Sequence, residues 1–253
     1  GAARVILNEV NSSNPSHLNG PIEVAGQRAE VIVANPSGIR VSGGSFINAA
    51  GVTLTTGTAV MNSGNLDAFR VTQGMVRIEG LGLDTSTADS TRILARAIEI
   101  NAGLWAQHLT AVTGANEVKA LASGAAAAAA PIAGTGPAPS FMLDVAAIGG
   151  MYAGHIYLVG TEAGLGVNNR GTLSAQQGEM VLLANGQLIN SGTIQAKGDL
   201  TIGLQGDIDN SATGEISGAA TTRIGAAGAL TNRGLIDGRE TRIGADTLTN
   251  LGT

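Results

Sequence analysis

Val167-Asn168-Asn169-Arg170-Gly171, Leu188-Ile189-Asn190-Ser191-Gly192, Ile208-Asp209-Asn210 with Gly214, Leu230-Thr231-Asn232-Arg233-Gly234 and Leu248-Thr249-Asn250-Leu251-Gly252 are five versions of one phrase. Their shared asparagine recurs at intervals of 21, 20, 22 and 18 residues. A period of that size means stacked units, none of which can bury its apolar face alone. Apolar residues keep the same beat. One column holds Val167, Leu188, Ile208, Leu230 and Leu248; a second holds Leu173, Ile194, Ile216 and Ile236; a third holds Leu182, Ile202, Ile224 and Ile243. Between them Asp199-Leu200-Thr201-Ile202 and Glu240-Thr241-Arg242-Ile243 alternate with the period of two that marks a half-buried strand. Gly or Asn closes each stretch after a few residues.

Short strands and tight turns closing every ~20 residues make a parallel β-helix. Leucine-rich repeats share the period but need helical segments and denser leucine, and neither is present. Some ten coils spaced ~4.8 Å apart predict a rod roughly 50 Å long. Columns of like residues then lie one above another. The asparagines Asn169, Asn190, Asn210, Asn232 and Asn250 have two readings at this level. They form an internal amide ladder, or they are left-handed turn formers.

The composition fits thin aliphatic layers. Glycine supplies 38 of 253 residues, about twice its usual share. Aromatics are 2% and charged residues 13%, the latter about half the ordinary fraction. A net charge of −5 without any Lys/Arg run gives no footprint for nucleic acid. The absence of cysteine excludes disulfides, thiolate metal sites and a cysteine nucleophile. No apolar run is long enough to span a membrane as a helix. The sequence carries no leader, and its last phrase stops at Asn250-Leu251-Gly252-Thr253. It therefore reads as part of a longer protein.

One segment leaves the pattern. Residues 113–140 contain six consecutive alanines and three prolines, a low-complexity stretch that predicts an irregular excursion or loop. This divides the chain into an N-terminal part of the helix (1–112), the excursion (113–140) and a continuation into repeats (141–253). Residues 93–100 admit a helix capped by Asp89-Ser90-Thr91, but their setting between β-coils favours strand.

No catalytic constellation stands out. His17, His108 and His155 lack metal-ligand spacing and read as surface or packed histidines. There is no Gly-x-Ser-x-Gly elbow and no phosphate-binding loop. Asp207 and Asp209 share one side of a strand and are a conceivable Ca²⁺ pair, yet the equivalent positions in other repeats are not acidic. The reading is of a chain that is not an enzyme and has neither cofactor nor metal.

The N-terminal half carries a second signal. Asn8-Glu9-Val10-Asn11-Ser12-Ser13-Asn14-Pro15, Ile22-Glu23-Val24-Ala25-Gly26, Ala29 through Ile39, Phe46-Ile47-Asn48 and Leu54-Thr55-Thr56-Gly57 follow one another closely. Further on come Gly149-Gly150-Met151-Tyr152-Ala153-Gly154 and Leu158-Val159-Gly160-Thr161-Glu162-Ala163-Gly164. In this order they resemble the secretion domain of two-partner-secreted exoproteins, the filamentous haemagglutinin and contact-dependent growth inhibition type. The resemblance covers the whole chain except the Ala/Pro-rich segment.

That resemblance implies a right-handed β-helix. It also implies a role as the secretion domain of a long adhesin or toxin-delivery protein, monomeric, secreted to the cell surface through the periplasm of a Gram-negative bacterium. There the soluble domains of a cognate outer-membrane transporter of the Omp85 type capture it, and its folding nucleates the β-helix that follows. The family's Asn-Pro-Asn-Gly-Ile motif falls on Asn35, Pro36, Gly38 and Ile39, with Ser37 replacing the second asparagine; Asn8 and Glu9 join them as candidate recognition residues. A second family motif, Asn-Pro-x-Leu, is expected just upstream of Arg4 and is absent. Relatives with a cysteine pair carry it where Val41 and Gly44 stand here. Two other functions remain open: a module binding host or bacterial surface glycans, and a β-helical polysaccharide-cleaving enzyme.

Asn35-Pro36-Ser37-Gly38 has a physical reading of its own. Asn, Pro, Ser and Gly in that order favour a type I turn, predicted between strands at 31–33 and 39–41. The expectation is an exposed turn in which the Asn35 side chain makes one hydrogen bond.

Overall fold

The computed structural model describes residues 3–120 and 128–253. Their secondary structure is strand and turn, with no helix. The main sheet is a parallel coil with three faces. The first face begins with Val5–Glu9, Ala29–Ala34, Ala49–Thr55 and Ser90–Ala95, and nine successive parallel pairings join ten strand segments along it. The second face begins with Ser16–Leu18 and Ile39–Val41, and the third with Pro21–Glu23 and Gly44–Ile47. In the last two coils the strands Glu215–Asn232 and Leu235–Asn250 run through all three faces. At ~4.8 Å per layer ten layers give the expected rod, a right-handed parallel β-helix.

The columns stack as the repeats predict. Val167 pairs with Leu188, Ile208, Leu230 and Leu248 in turn, and Leu182 with Ile202, Ile224 and Ile243. Alternate residues point inward and form one continuous core from Val24 to Leu230. Residues 93–100 are strand. Ile243 keeps its place in the inner column, stacked on Ile224, and is 36% exposed in the last described coil.

The N-terminal coils have a second layer that the repeat pattern does not announce. Thr58–Asn62, Asn65–Val71, Asn116–Lys119 and Ala129–Pro131 form a four-stranded antiparallel sheet. It lies on the outside of the first face, where Phe69, Val71, Val118 and Ala120 bury the outward side chains Ile32, Ala34, Leu94 and Val112. Strands there are covered on both sides, so Ala29–Ala34 is buried almost throughout, whereas Leu200–Leu204 alternates. This is the contrast between doubly and singly covered parallel strands.

The 113–140 segment leaves the coil as expected, but it is not irregular at 116–119 and 129–131. Val118 is fully buried, and 116–119 and 129–131 are paired strands. The part of the alanine run within 121–127 lies outside the described residues. Residues 58–71 are a second departure from the coil, inside the 1–112 span that the sequence reads as helix.

Arginines fasten these insertions down. Arg92 donates to the Lys119 carbonyl (2.8 Å) and to the Ala120 carbonyl. Next to it, burial pushes the Glu30 carboxyl above its ordinary range, with Arg92 opposing the shift. Arg96 is buried and pairs with Glu162 (2.8 Å) while donating to the Thr135 carbonyl (2.9 Å). Glu162 also accepts from the Ala115 amide (3.2 Å).

The Arg96 hydrogen bond holds the Glu162 carboxyl below its usual range. A carboxyl depressed in the folded state contributes stability above its unfolded value, and that contribution disappears as pH falls through the folded one. Glu162→Gln is expected to cost about 2 kcal/mol at pH 7. Urea melts from pH 7 to pH 3 should show the difference from wild type shrinking toward acid. A difference independent of pH would separate the pair from acid stability.

Candidate functional site

The Asn35–Gly38 turn lies where the first face passes into the second, in the second coil. The Gly38 amide donates to the Asn35 carbonyl (3.0 Å), closing the predicted β-turn. Gly38 has φ +110°, and a Cβ there would stand 3.0 Å from the Met75 carbonyl oxygen, so glycine is required on both counts.

The exposure of the turn is a correction. Asn35, Gly38 and Ile39 are buried, and only Pro36 and Ser37 reach the surface, half-covered. Three side-chain hydrogen bonds replace the single one expected. Asn35 Nδ2 donates to the Asn14 carbonyl (2.9 Å) and to Ser16 Oγ (3.0 Å), and Oδ1 accepts from the Ser37 amide (2.9 Å). Ser37 Oγ donates to the Ser12 carbonyl (2.7 Å). From the following coil, Gln73 Nε2 donates to the Pro36 carbonyl (3.3 Å).

The corner is thus riveted to the coils on both sides. Asn8 and Glu9 lie at the end of Val5–Glu9, directly above Val33 and Ala34 in register, and both are exposed. With Asn11, Ser12, Ser13 and Asn14, also exposed, they surround the turn with a polar, rigidly backed surface. The structure brings Asn8 and Glu9 to the same corner as the turn. Asn14 and Ser16, which hold Asn35, and Ser12, which holds Ser37, are the partners that sequence reasoning missed. Their only sequence signal is the earlier Asn14-Pro15, one coil before Asn35-Pro36.

The asparagine ladder forms. Nδ2 of Asn169, Asn190, Asn210 and Asn232 donates to Oδ1 of the next asparagine, each at 2.8 Å. The same amides also reach turn carbonyls, Asn190 to Gly192 (3.1 Å) and Asn210 to Gly214 (3.1 Å). Among described non-glycine residues only Asn48 and Ser63 have positive φ, so the ladder asparagines are not left-handed turn residues. Asn169 stacks beneath Val145, which has no donor, and its Oδ1 is left without a partner.

The other candidates resolve into structure. Asp207 Oδ1 accepts from the Ala229 amide (2.8 Å), and Asp209 pairs with Arg233 (2.8 Å). His108 and His155, 47 residues apart in sequence, stack at 4.7 Å in adjacent coils, with His155 Nδ1 2.9 Å from Glu179. Among the described residues no group of three His, Asp or Glu side chains is arranged to hold a metal.

Comparison with known proteins fits this geometry. The family model of the TPS secretion domain matches residues 1–202. The chain is 48% identical over 200 residues to Toxin CdiA of Yersinia pestis and 44% identical over 196 residues to tRNA nuclease CdiA-2 of Burkholderia pseudomallei. These alignments cover 79% and 77% of the chain, but it spans only 6% of the length of either relative. The crystal structure of a filamentous hemagglutinin secretion domain superposes with a TM-score of 0.63 at 27% identity, covering 99% of this chain and 75% of that one.

Proposed function

The chain belongs to the TPS secretion domain family, and from that premise we propose that it is the non-enzymatic export module of a long exoprotein. The soluble periplasmic domains of a cognate Omp85-type outer-membrane transporter read it during export from a Gram-negative cell. The observation that carries this reading is the clamped corner around Asn35. Hydrogen bonds of the buried Asn35 amide fix its shape, so the solvent-reaching groups of Asn8, Glu9, Pro36 and Ser37 are presented with little ordering cost at binding. Asn35, Gly38 and Ile39 act by shaping that corner, since all three are buried. The doubly covered N-terminal coils also suit a nucleus for the β-helix that follows, because two cores meet on the same strands. The nuclease activities in relatives' names belong to proteins of which this length is a small part, and we assign none to this chain.

The test changes the surface and spares its support. Asn8→Arg combined with Glu9→Arg is expected to leave the urea melt unchanged, since exposed substitutions stay within about 0.5 kcal/mol. Binding to the transporter's purified periplasmic domains should weaken at least about tenfold, and the exoprotein should accumulate in the periplasm. Normal binding and normal export would remove Asn8 and Glu9 from the recognition surface.

A further inference from the structure

Only 2% of the residues are aromatic, yet the single tryptophan and both tyrosines occupy two successive coils. Trp105 and Tyr152 are adjacent in register on the outside of the third face, with ring centroids 6.1 Å apart and planes within 17°. Trp105 is 43% exposed. Each ring leans back over the glycine two residues earlier on its own strand. A Cβ on Gly103 would lie 2.3 Å from the Trp105 ring, and one on Gly150 would lie 2.6 Å from the Tyr152 ring. Both glycines are thus required for the rings to settle where they do.

The same outward column continues coil by coil through Ser174, Gln195, Ser217 and Asp237. These four line a groove of about 330 Å³, with Lys197 and Arg239 also in its lining. Gln195 Nε2 donates to Ser174 Oγ (3.1 Å), which fixes the amide along the groove. An aromatic pair and a polar trough therefore form one strip parallel to the helix axis, with a new side chain about every 4.8 Å.

We propose that this strip binds an oligosaccharide laid along the axis. One sugar rests its apolar C–H face on Trp105 and Tyr152, and the hydroxyls of the following units bond to Gln195, Ser217 and Asp237. The spacing of the rungs suits a chain whose repeating unit is one pyranose ring long. Lys197 and Arg239 outnumber Asp237 and favour a chain bearing carboxylates. A peptide added as a strand needs a free sheet edge, whereas the backbone groups beneath this strip are already paired between coils. Nucleic acid is disfavoured by the two cations available against a net charge of −5. This inference is independent of the transporter reading.

Because Trp105 is the only tryptophan, its fluorescence reports this site alone. The 253-residue protein is titrated with chitohexaose, maltohexaose and hexagalacturonate. The expected result is a saturable change in Trp105 emission with at least one of them, strongest for the acidic chain at low salt. Gln195→Ala should weaken that binding at least about tenfold, and Trp105→Ala, followed by calorimetry, should abolish it, both with unchanged circular dichroism. No change with any of the three up to millimolar concentration overturns the proposal, as does unaltered affinity in Gln195→Ala. Quenching of Trp105 by the transporter's periplasmic domains, with no response to any sugar, would assign the strip to a protein partner and also overturn it.

Discussion

Ile224→Asp is expected to unfold the C-terminal coils while the N-terminal ones stand. Ile224 is 3% exposed and stacks between Ile202 and Ile243 in the inner column. The carboxylate has no cation or amide waiting for it among those aliphatic layers, so its cost exceeds about 4 kcal/mol. In a solenoid each coil is held mainly by its neighbours. Loss of the 222–226 segment therefore removes the support of the last coil at once and weakens the one before it. The coils under the antiparallel sheet have their own second core and should keep it. Hydrogen exchange should show protection lost from about residue 200 onward, with Trp105 emission close to wild type. A melt within a degree or two of the parent would mean that Ile224 does not face inward. Uniform loss of protection would mean that the coils do not unfold separately.

The part of the fold that such a variant probes was the part most legible in sequence. Residues 167–250 repeat every ~20 positions without insertions, so Leu182, Ile202, Ile224 and Ile243 announce their stacking directly. The earlier coils hide it. Ile93 stacks on Leu54 and Leu158 on Ala111, intervals twice as long, because each coil is interrupted between its first and second faces. The antiparallel sheet filling those gaps joins 65–71 with 116–119, a non-local pairing that no local period reveals. A signal did exist: Val31-Ile32-Val33-Ala34 is continuously apolar where Thr201-Ile202-Gly203-Leu204 alternates, and continuous runs mark strands covered on both faces.

The candidate site was legible in identity but not in depth. Asn-Pro-Ser-Gly specifies a turn by backbone preferences alone, and those preferences are the same for an exposed turn and a buried one. What buries Asn35 is the preceding coil, through Asn14 and Ser16, together with Thr55, whose carbonyl accepts the Asn35 amide (3.0 Å). Such partners become visible only once the coils are stacked.

Asn35→Ala should therefore do more than remove one weak bond. It leaves the Asn14 carbonyl, Ser16 Oγ and the Ser37 amide without their partner, at a side chain that is itself fully buried. The expected cost is about 3 kcal/mol, concentrated in the first two coils. Pro36 keeps its own φ and Gly38 still closes the turn, so the chain should remain folded by circular dichroism. The loop at 12–14, however, loses its anchor and the recognition corner its fixed shape. Export is expected to fall sharply, with weaker binding to the transporter's periplasmic domains. Asn35→Asp separates the contributions: it keeps an acceptor for the Ser37 amide but sets a carboxylate against the Asn14 carbonyl. If rigidity of the corner is what the transporter requires, Asp should impair export as Ala does, and Ser16→Ala, which removes one partner, should have an intermediate effect. Full export of a folded Asn35→Ala protein with increased hydrogen exchange at 12–16 would show that the corner is read without being rigid, and would withdraw Asn35 from the recognition mechanism.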